Sequence, residues 1–256
     1  MAGLAGIASS YGPWAIGGTI ALLALFWLLR GRIRIEKGWG GFNIVRFGRF
    51  ERLVHWLLAL SFVVALFSGL TFRYADRRYG QFLLVDFRDL ALIGGWLHLL
   101  AGMAFIACLP LAFLLWVRHS LPHWRDAVWA LKGGGMIVRG VHPPAHKFNP
   151  SQKVMFWLTM LGGALLSLTG AAMLLPGFIE LLPLHIFLAV ALTCAVIIHV
   201  YFRTIGIQGA ASAMASGEVD ANWAKQHHSL WAEQEIGHIQ DAAEPKAVKT
   251  VASSVP

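Results

Sequence analysis

Long apolar runs separated by short polar stretches dominate this chain. Five are of membrane-crossing length: about 13–30 (PWAIGGTIALLALFWLLR), 54–72 (VHWLLALSFVVALFSGLTF), 90–117, 154–175 and 183–203. At ~1.5 Å of rise per residue each is long enough to cross a hydrocarbon core of ~30 Å as a helix. The pattern predicts an all-α integral membrane protein, with boundaries good to a few residues. Composition agrees, since 57% of the residues are hydrophobic and only 13% charged, well outside the range of soluble domains.

The charges add an orientation. Of the 21 Lys and Arg, seventeen fall in 30–53, 118–153 and 203–256, and four in 73–89. These groups alternate across the predicted spans, so the positive-inside rule puts the N-terminus outside and the C-terminus on the cytoplasmic side. The net charge of +8 does not point to nucleic acid, because the basic residues lie beside apolar segments. Arg30, Arg32 and Arg34 follow the first run rather than precede it, so this run reads as an uncleaved anchor and not as a signal peptide. With Lys37 they form a basic strip suited to anionic lipid. The expected organisation is an anchor helix and linker over 1–41, a bundle over 42–205 and a cytoplasmic tail over 206–256, polar, Ala-rich and disordered at its end.

Four histidines lie in or at the ends of the apolar runs: His55, His98, His185 and His199. His185 and His199 are fourteen residues apart, about 1400° of helical turn, so both face nearly one way about 21 Å apart along the axis. With the orientation above, His55 and His199 lie near the inner face, and His98 and His185 near the outer. Each pair is placed to ligate one iron axially, giving an inner and an outer b-type haem; bis-His ligation leaves no open position and suits electron transfer. The alternative is that each histidine only packs or hydrogen-bonds. Gly94, Gly95, Ala101 and Gly102 flank His98, and Gly69 and Gly170 lie in other spans; they suit a flat macrocycle, or ordinary tight helix packing. A zinc or di-iron site would want Asp, Glu or Cys beside the histidines, and the spans contain essentially none. Cys108 and Cys194 read as small apolar residues, and no CxxCH for covalent haem occurs. His119, His123, His142, His146, His227, His228 and His238 fall in polar loops or the tail and carry no assigned role.

Five stretches, in order, resemble the cytochrome b (gamma) subunits of membrane-bound formate dehydrogenases: RFGRFERLVHWLLALSFVVALFSGL (46–70), GWLHLLAG (95–102), KFNPSQKVMFW (147–157), LLPLHIFLAVALTCAVIIHVYF (181–202) and ANWAKQHHSLWAEQE (221–235). The resemblance implies a four-helix di-haem cytochrome b bundle, with His55, His98, His185 and His199 as haem ligands. The run 13–30 is one extra N-terminal transmembrane helix, with no functional account. The resemblance further implies a bacterial inner membrane, with an iron–sulfur (beta) subunit on the outer, periplasmic side and a molybdopterin or tungstopterin catalytic (alpha) subunit beyond it. A quinone then takes the electrons at the cytoplasmic side, near Asn149, Gln152 and His199. Without the resemblance, Asn149, Ser151 and Gln152 read as helix caps. The family has a glycine where Ser151 stands, and Pro150 precedes it. Rival readings are a di-haem cytochrome b serving a hydrogenase or other dehydrogenase, and a haem-free anchor or transporter. The loop 73–89, with four Arg and three Asp, is a candidate docking surface for the iron–sulfur subunit.

Overall fold

The computed structural model describes residues 4–74 and 87–243. Five helical segments are long and apolar enough to cross a membrane: Tyr11–Arg30, Arg49–Thr71, Leu92–Ser120, Pro150–Ala172 and Ile179–Gly206. They coincide with the five apolar runs. Much of their apolar surface faces outward, including Leu22, Leu28, Leu60, Phe67, Leu114, Leu168 and Phe187. Water would not tolerate a belt of this kind, whereas lipid chains cover it without cost.

Helix α1 is Leu4–Arg30, α2 Arg49–Tyr74 and α3 Phe87–Ser120. Helices α2 and α3 pack along their length. A short amphipathic helix, α4 (Trp124–Leu131), follows α3 and is opened by a capping box between His123 and Asp126. Helix α5 spans Pro150–Ala172 and relaxes into a π-turn at Leu158–Gly162. Just beyond, Gly163 lets α5 approach α3: a Cβ there would lie 3.1 Å from the Phe105 ring and 3.2 Å from Leu109. Helix α6 (Leu182–Tyr201) runs into a second π-turn, Phe202–Gly206.

The extra helix α1 lies along α6. Gly12 meets Val190, and the Phe26 ring sits edge-on to Tyr201 and Phe202, with centroids 6.3 and 5.7 Å away. Its place in the fold is therefore an outer buttress on the helix that carries two of the four histidines.

At one end of the bundle the linker after α1, the connection before α5 and the segment after α6 join in a packed cap. Strand β1 (Asn43–Val45) pairs antiparallel with β2 (Glu218–Asp220), with Ile44 opposite Val219. Ile33 bridges Ile207 in parallel. The cap also holds helices α7 (Ser212–Ala215), α8 (Ala221–His227) and α9 (Ser229–Ala243). Asp220 caps α8 through Asn222 and Trp223 N–H and takes a third bond from Gly40 N–H. Trp223, Ala224, His228, Trp231 and Ala232 are buried. The polar tail expected after 206 is thus a folded part of the cap up to about 240, and its strand partner stands before α2. Of the disorder expected over 240–256, residues 240–243 are instead helical, at the end of α9, and 244–256 lie outside the described residues. The centre of the proposed docking loop, 75–86, lies outside them too.

Candidate haem and quinone sites

The helices bring the four histidines together in the expected pairs. His98 on α3 faces His185 on α6 with ring centroids 6.1 Å apart, and His55 on α2 faces His199 on α6 at 6.3 Å. Two imidazoles bound to opposite sides of one metal ion, with bonds of about 2 Å and about 1 Å from nitrogen to ring centre, have centroids about 6 Å apart. Both pairs match that spacing. Among the described residues, no group of three or more His, Cys, Asp or Glu converges that could hold a metal. A metal held here by two trans imidazoles needs its remaining ligands from elsewhere, which is what a planar tetrapyrrole provides.

The pair far from the cap is held by hydrogen bonds. His98 Nδ1 lies 2.8 Å from Ala65 O and 3.4 Å from Ser68 Oγ. A carbonyl can only accept, so Nδ1 donates, and the ring's lone pair is on Nε2. His185 Nδ1 lies 3.0 Å from Thr169 Oγ1. Glycine makes room for both rings: a Cβ on Gly69 would lie 3.0 Å from His98 Cε1, and one on Gly170 3.1 Å from His185 Cε1. The sequence had marked both glycines for a macrocycle or for helix packing; the structure places each against a ligand candidate's own ring.

The pair near the cap is held differently. His55 Nδ1 is buried without a hydrogen-bond partner. Its ring packs edge-on against Trp56 at 5.2 Å, and Trp56 Nε1 donates to Met214 O in the cap. One turn away Arg52 donates to Ala215 O, leaving its Nε unpaired. Arg203, one turn past His199, also has a buried Nε without a partner and is close enough to act on the His199 ring electrostatically. These orphaned cationic donors fit a group that carries carboxylates, as the haem propionates do.

Asn149 and Gln152 form a reciprocal capping box at the start of α5. Asn149 Oδ1 accepts from Gln152 N–H at 3.1 Å, and Gln152 Oε1 accepts from Asn149 N–H at 3.1 Å. Ser151 Oγ donates to Asn149 Oδ1. The cap reading from sequence is therefore real, and any contact to a quinone is additional to it. Pro150 occupies the first helical turn, where its missing N–H costs nothing.

Sequence reasoning missed two residues of the cap. Arg46 is 2% exposed, and its Nη2 donates to Lys147 O and approaches His228 Nε2 at 3.0 Å. Its guanidinium lies over the rings of Trp223 and Trp231, 5.1 Å from each centroid. His228 is fully buried and its Nδ1 lies 2.8 Å from His146 O. That bond makes Nδ1 the donor and Nε2 the acceptor for Arg46, so His228 is neutral. Burial, then the Arg46 charge, holds the His228 pKa well below the usual value. Burial, with Arg203 adding, also pulls Arg46 well below its usual range. The signal in the sequence was a pair of tryptophans bracketing two histidines in ANWAKQHHSLWAEQE, a poor composition for a solvated tail.

The chain matches the model of the family described as prokaryotic cytochrome b561 over residues 46–217. It is similar to the formate dehydrogenase cytochrome b556(fdo) subunit of Escherichia coli (strain K12), 29% identical over 198 residues, covering 74% of this chain and 92% of that one. The nitrate-inducible formate dehydrogenase cytochrome b556(Fdn) subunit of the same strain is 28% identical over 199 residues, covering 73% and 89%. The formate dehydrogenase cytochrome b556 subunit of Haemophilus influenzae is 29% identical over 207 residues, covering 76% and 84%.

Proposed function

The chain belongs to the prokaryotic cytochrome b561 family, and from that premise we propose that it is the electron-transferring membrane subunit of a formate dehydrogenase complex. Two b haems would be held, one by His98 with His185 and one by His55 with His199. When bound, the haems supply one-electron carriers at two depths, between an outer iron–sulfur subunit and a quinone at the cytoplasmic side. The relatives named as formate dehydrogenase subunits favour this reading over the hydrogenase plan. The basic balance of the connections puts the cap in the cytoplasm and the His98–His185 pair toward the periplasm. Formate is oxidised on a separate molybdopterin or tungstopterin subunit.

The chain's own contribution is position and environment. Nδ1 contacts to Ala65 and Thr169 fix the two outer rings. Trp56 and the cap fix the start of α2 around the inner pair. Asn149, Ser151 and Gln152 stand at the membrane edge, where amide and hydroxyl groups can hold a quinone carbonyl.

The observation that carries the proposal is the pair of imidazole separations, 6.1 and 6.3 Å, on one bundle. The test is a pyridine haemochrome assay with dithionite difference spectra on the purified chain or complex. The expected result is two haem b per chain, falling to one in His98→Ala or His185→Ala. Folded protein from a haem-replete host that carries no haem would overturn the assignment.

A further inference from the structure

Between the linker after α1, the connection before α5 and the end of α8 lies a narrow notch. His142, His227, Gln226, Asn149, Ser151 and Gly135 are among its walls. It has room for little more than one water, too little for a quinone ring. Two of its walls are thus the cap residues Asn149 and Ser151, and another is His142, on a polar loop and used by no role above.

His142 connects the notch to the surface. Its Nε2 lies 3.0 Å from Glu36 Oε1, a close charge contact not aligned as a hydrogen bond. The Glu36 side chain is 51% exposed and that of His142 21%, so exposure falls inward. Nδ1 points the other way, toward Gly135, 3.8 Å from where a Cβ on that glycine would sit. Gly135 has φ +68°, a conformation only glycine adopts without strain. Glu36 is fixed in place, since its N–H donates to Gln226 Oε1 and Gln226 Nε2 donates to Arg34 O. The other titratable ring at the notch is His227, its centroid 6.3 Å from that of His142. Burial, then His142 and the more distant Arg203 and Arg46, pushes the His227 pKa down to about 3. It stays neutral and does not compete for a proton.

We propose that Glu36 and His142 form a proton relay from the cytoplasm to the quinone that Asn149, with Gln152, would hold; this rests on the quinone reading above. Reducing a quinone to a quinol consumes two electrons, delivered by the transfer already proposed, and two protons, one for each carbonyl oxygen. In each passage the exposed Glu36 side chain turns into line with the ring and its carboxyl gives a proton to His142 Nε2. The imidazolium releases its Nδ1 proton through one water in the notch to a quinone oxygen. Glu36 is reprotonated from solvent, and proton exchange with water moves the remaining imidazole proton from Nε2 back to Nδ1, restoring the starting tautomer. Two passages complete one quinol.

The test uses the intact complex with formate as donor and a short-chain quinone as acceptor, followed by stopped-flow at the haem absorption band. Glu36→Gln and His142→Ala should keep the wild-type haem content and rate of haem reduction by formate. Reoxidation by quinone should slow at least about ten-fold, with quinone KM unchanged, a flattened pH profile and a larger solvent isotope effect. Added imidazole should restore His142→Ala. Reoxidation within two-fold of wild type in both variants would overturn the relay while leaving the quinone site standing. Failure of every quinone to reoxidise the wild-type haems would instead overturn the quinone reading itself.

Discussion

The two histidine pairs have nearly the same separation but are built by different means. The outer pair is fixed from within the membrane: Ala65 and Thr169 hold the Nδ1 atoms, and Gly69 and Gly170 leave room behind the rings. The inner pair is fixed from outside it, with the His55 Nδ1 unpaired and α2 tied to the cap through Trp56 and Arg52. One site is self-contained, and the other depends on a folded cap and carries the positive field of Arg203.

Ligand removal sets the largest effect and the sharpest contrast. His98→Ala should remove the outer haem and stop reduction of the remaining one by formate, while dithionite still reduces it. His199→Ala should remove the inner haem and leave formate able to reduce the outer one. Equal behaviour of the two variants in formate-driven difference spectra would erase the distinction between entrance and exit.

Arg46→Ala tests the dependence on the cap. It removes the bonds to Lys147 O and His228 Nε2 and three cation–π contacts, to Phe47, Trp223 and Trp231, so about 2–3 kcal/mol of cap stability should be lost. Thermal unfolding followed by tryptophan emission should shift accordingly, with inner haem lost before outer. The same cap should weaken with acid. His227 and His228 have folded pKa values below the unfolded value of about 6.5, so their neutral forms stabilise the fold above that pH. That contribution should disappear as pH falls from about 6.5 towards the His227 value of about 3. A fluorescence titration of cap unfolding in denaturant gives the slope directly.

Thr169→Val is smaller and confined to the outer site. Losing the contact to His185 Nδ1 should weaken outer haem retention about ten-fold, at the low end for a partner of a metal-bound histidine, and leave the inner haem unchanged. Haem titration into the variant measures both. Smallest is Gly170→Ala, where the new Cβ would lie 3.1 Å from His185 Cε1 and the ring must yield by a few tenths of an ångström. The expected cost is about 1 kcal/mol, read as a shifted outer-haem band with haem count intact. A loss of both haems in either variant would show that the sites are not independent.

The cap shows where reading by sequence runs out. The bundle was legible because lipid imposes a simple rule: a crossing segment must be long, apolar and helical. Histidine in such a segment stands out against that background. In the cap no such rule applies. Its strands are three residues each and pair across more than 170 positions, Asn43 with Asp220. Arg46 and His228 look like solvated polar residues until the chain brings them together under two tryptophans. Asn149 and Gln152 were legible as a motif, but only the structure shows both amides already engaged in a capping box.

The sequence by itself determined the five crossings, their likeness to formate dehydrogenase cytochrome b subunits and the four histidines at two depths, because span length and helical period depend only on local residue order. Tertiary structure decided the rest: which carbonyl or hydroxyl holds each imidazole, that α1 buttresses α6, and that the tail is the core of a cap. Those depend on contacts between residues far apart in the chain, and packing selects them by burial and hydrogen-bond satisfaction that no local pattern records.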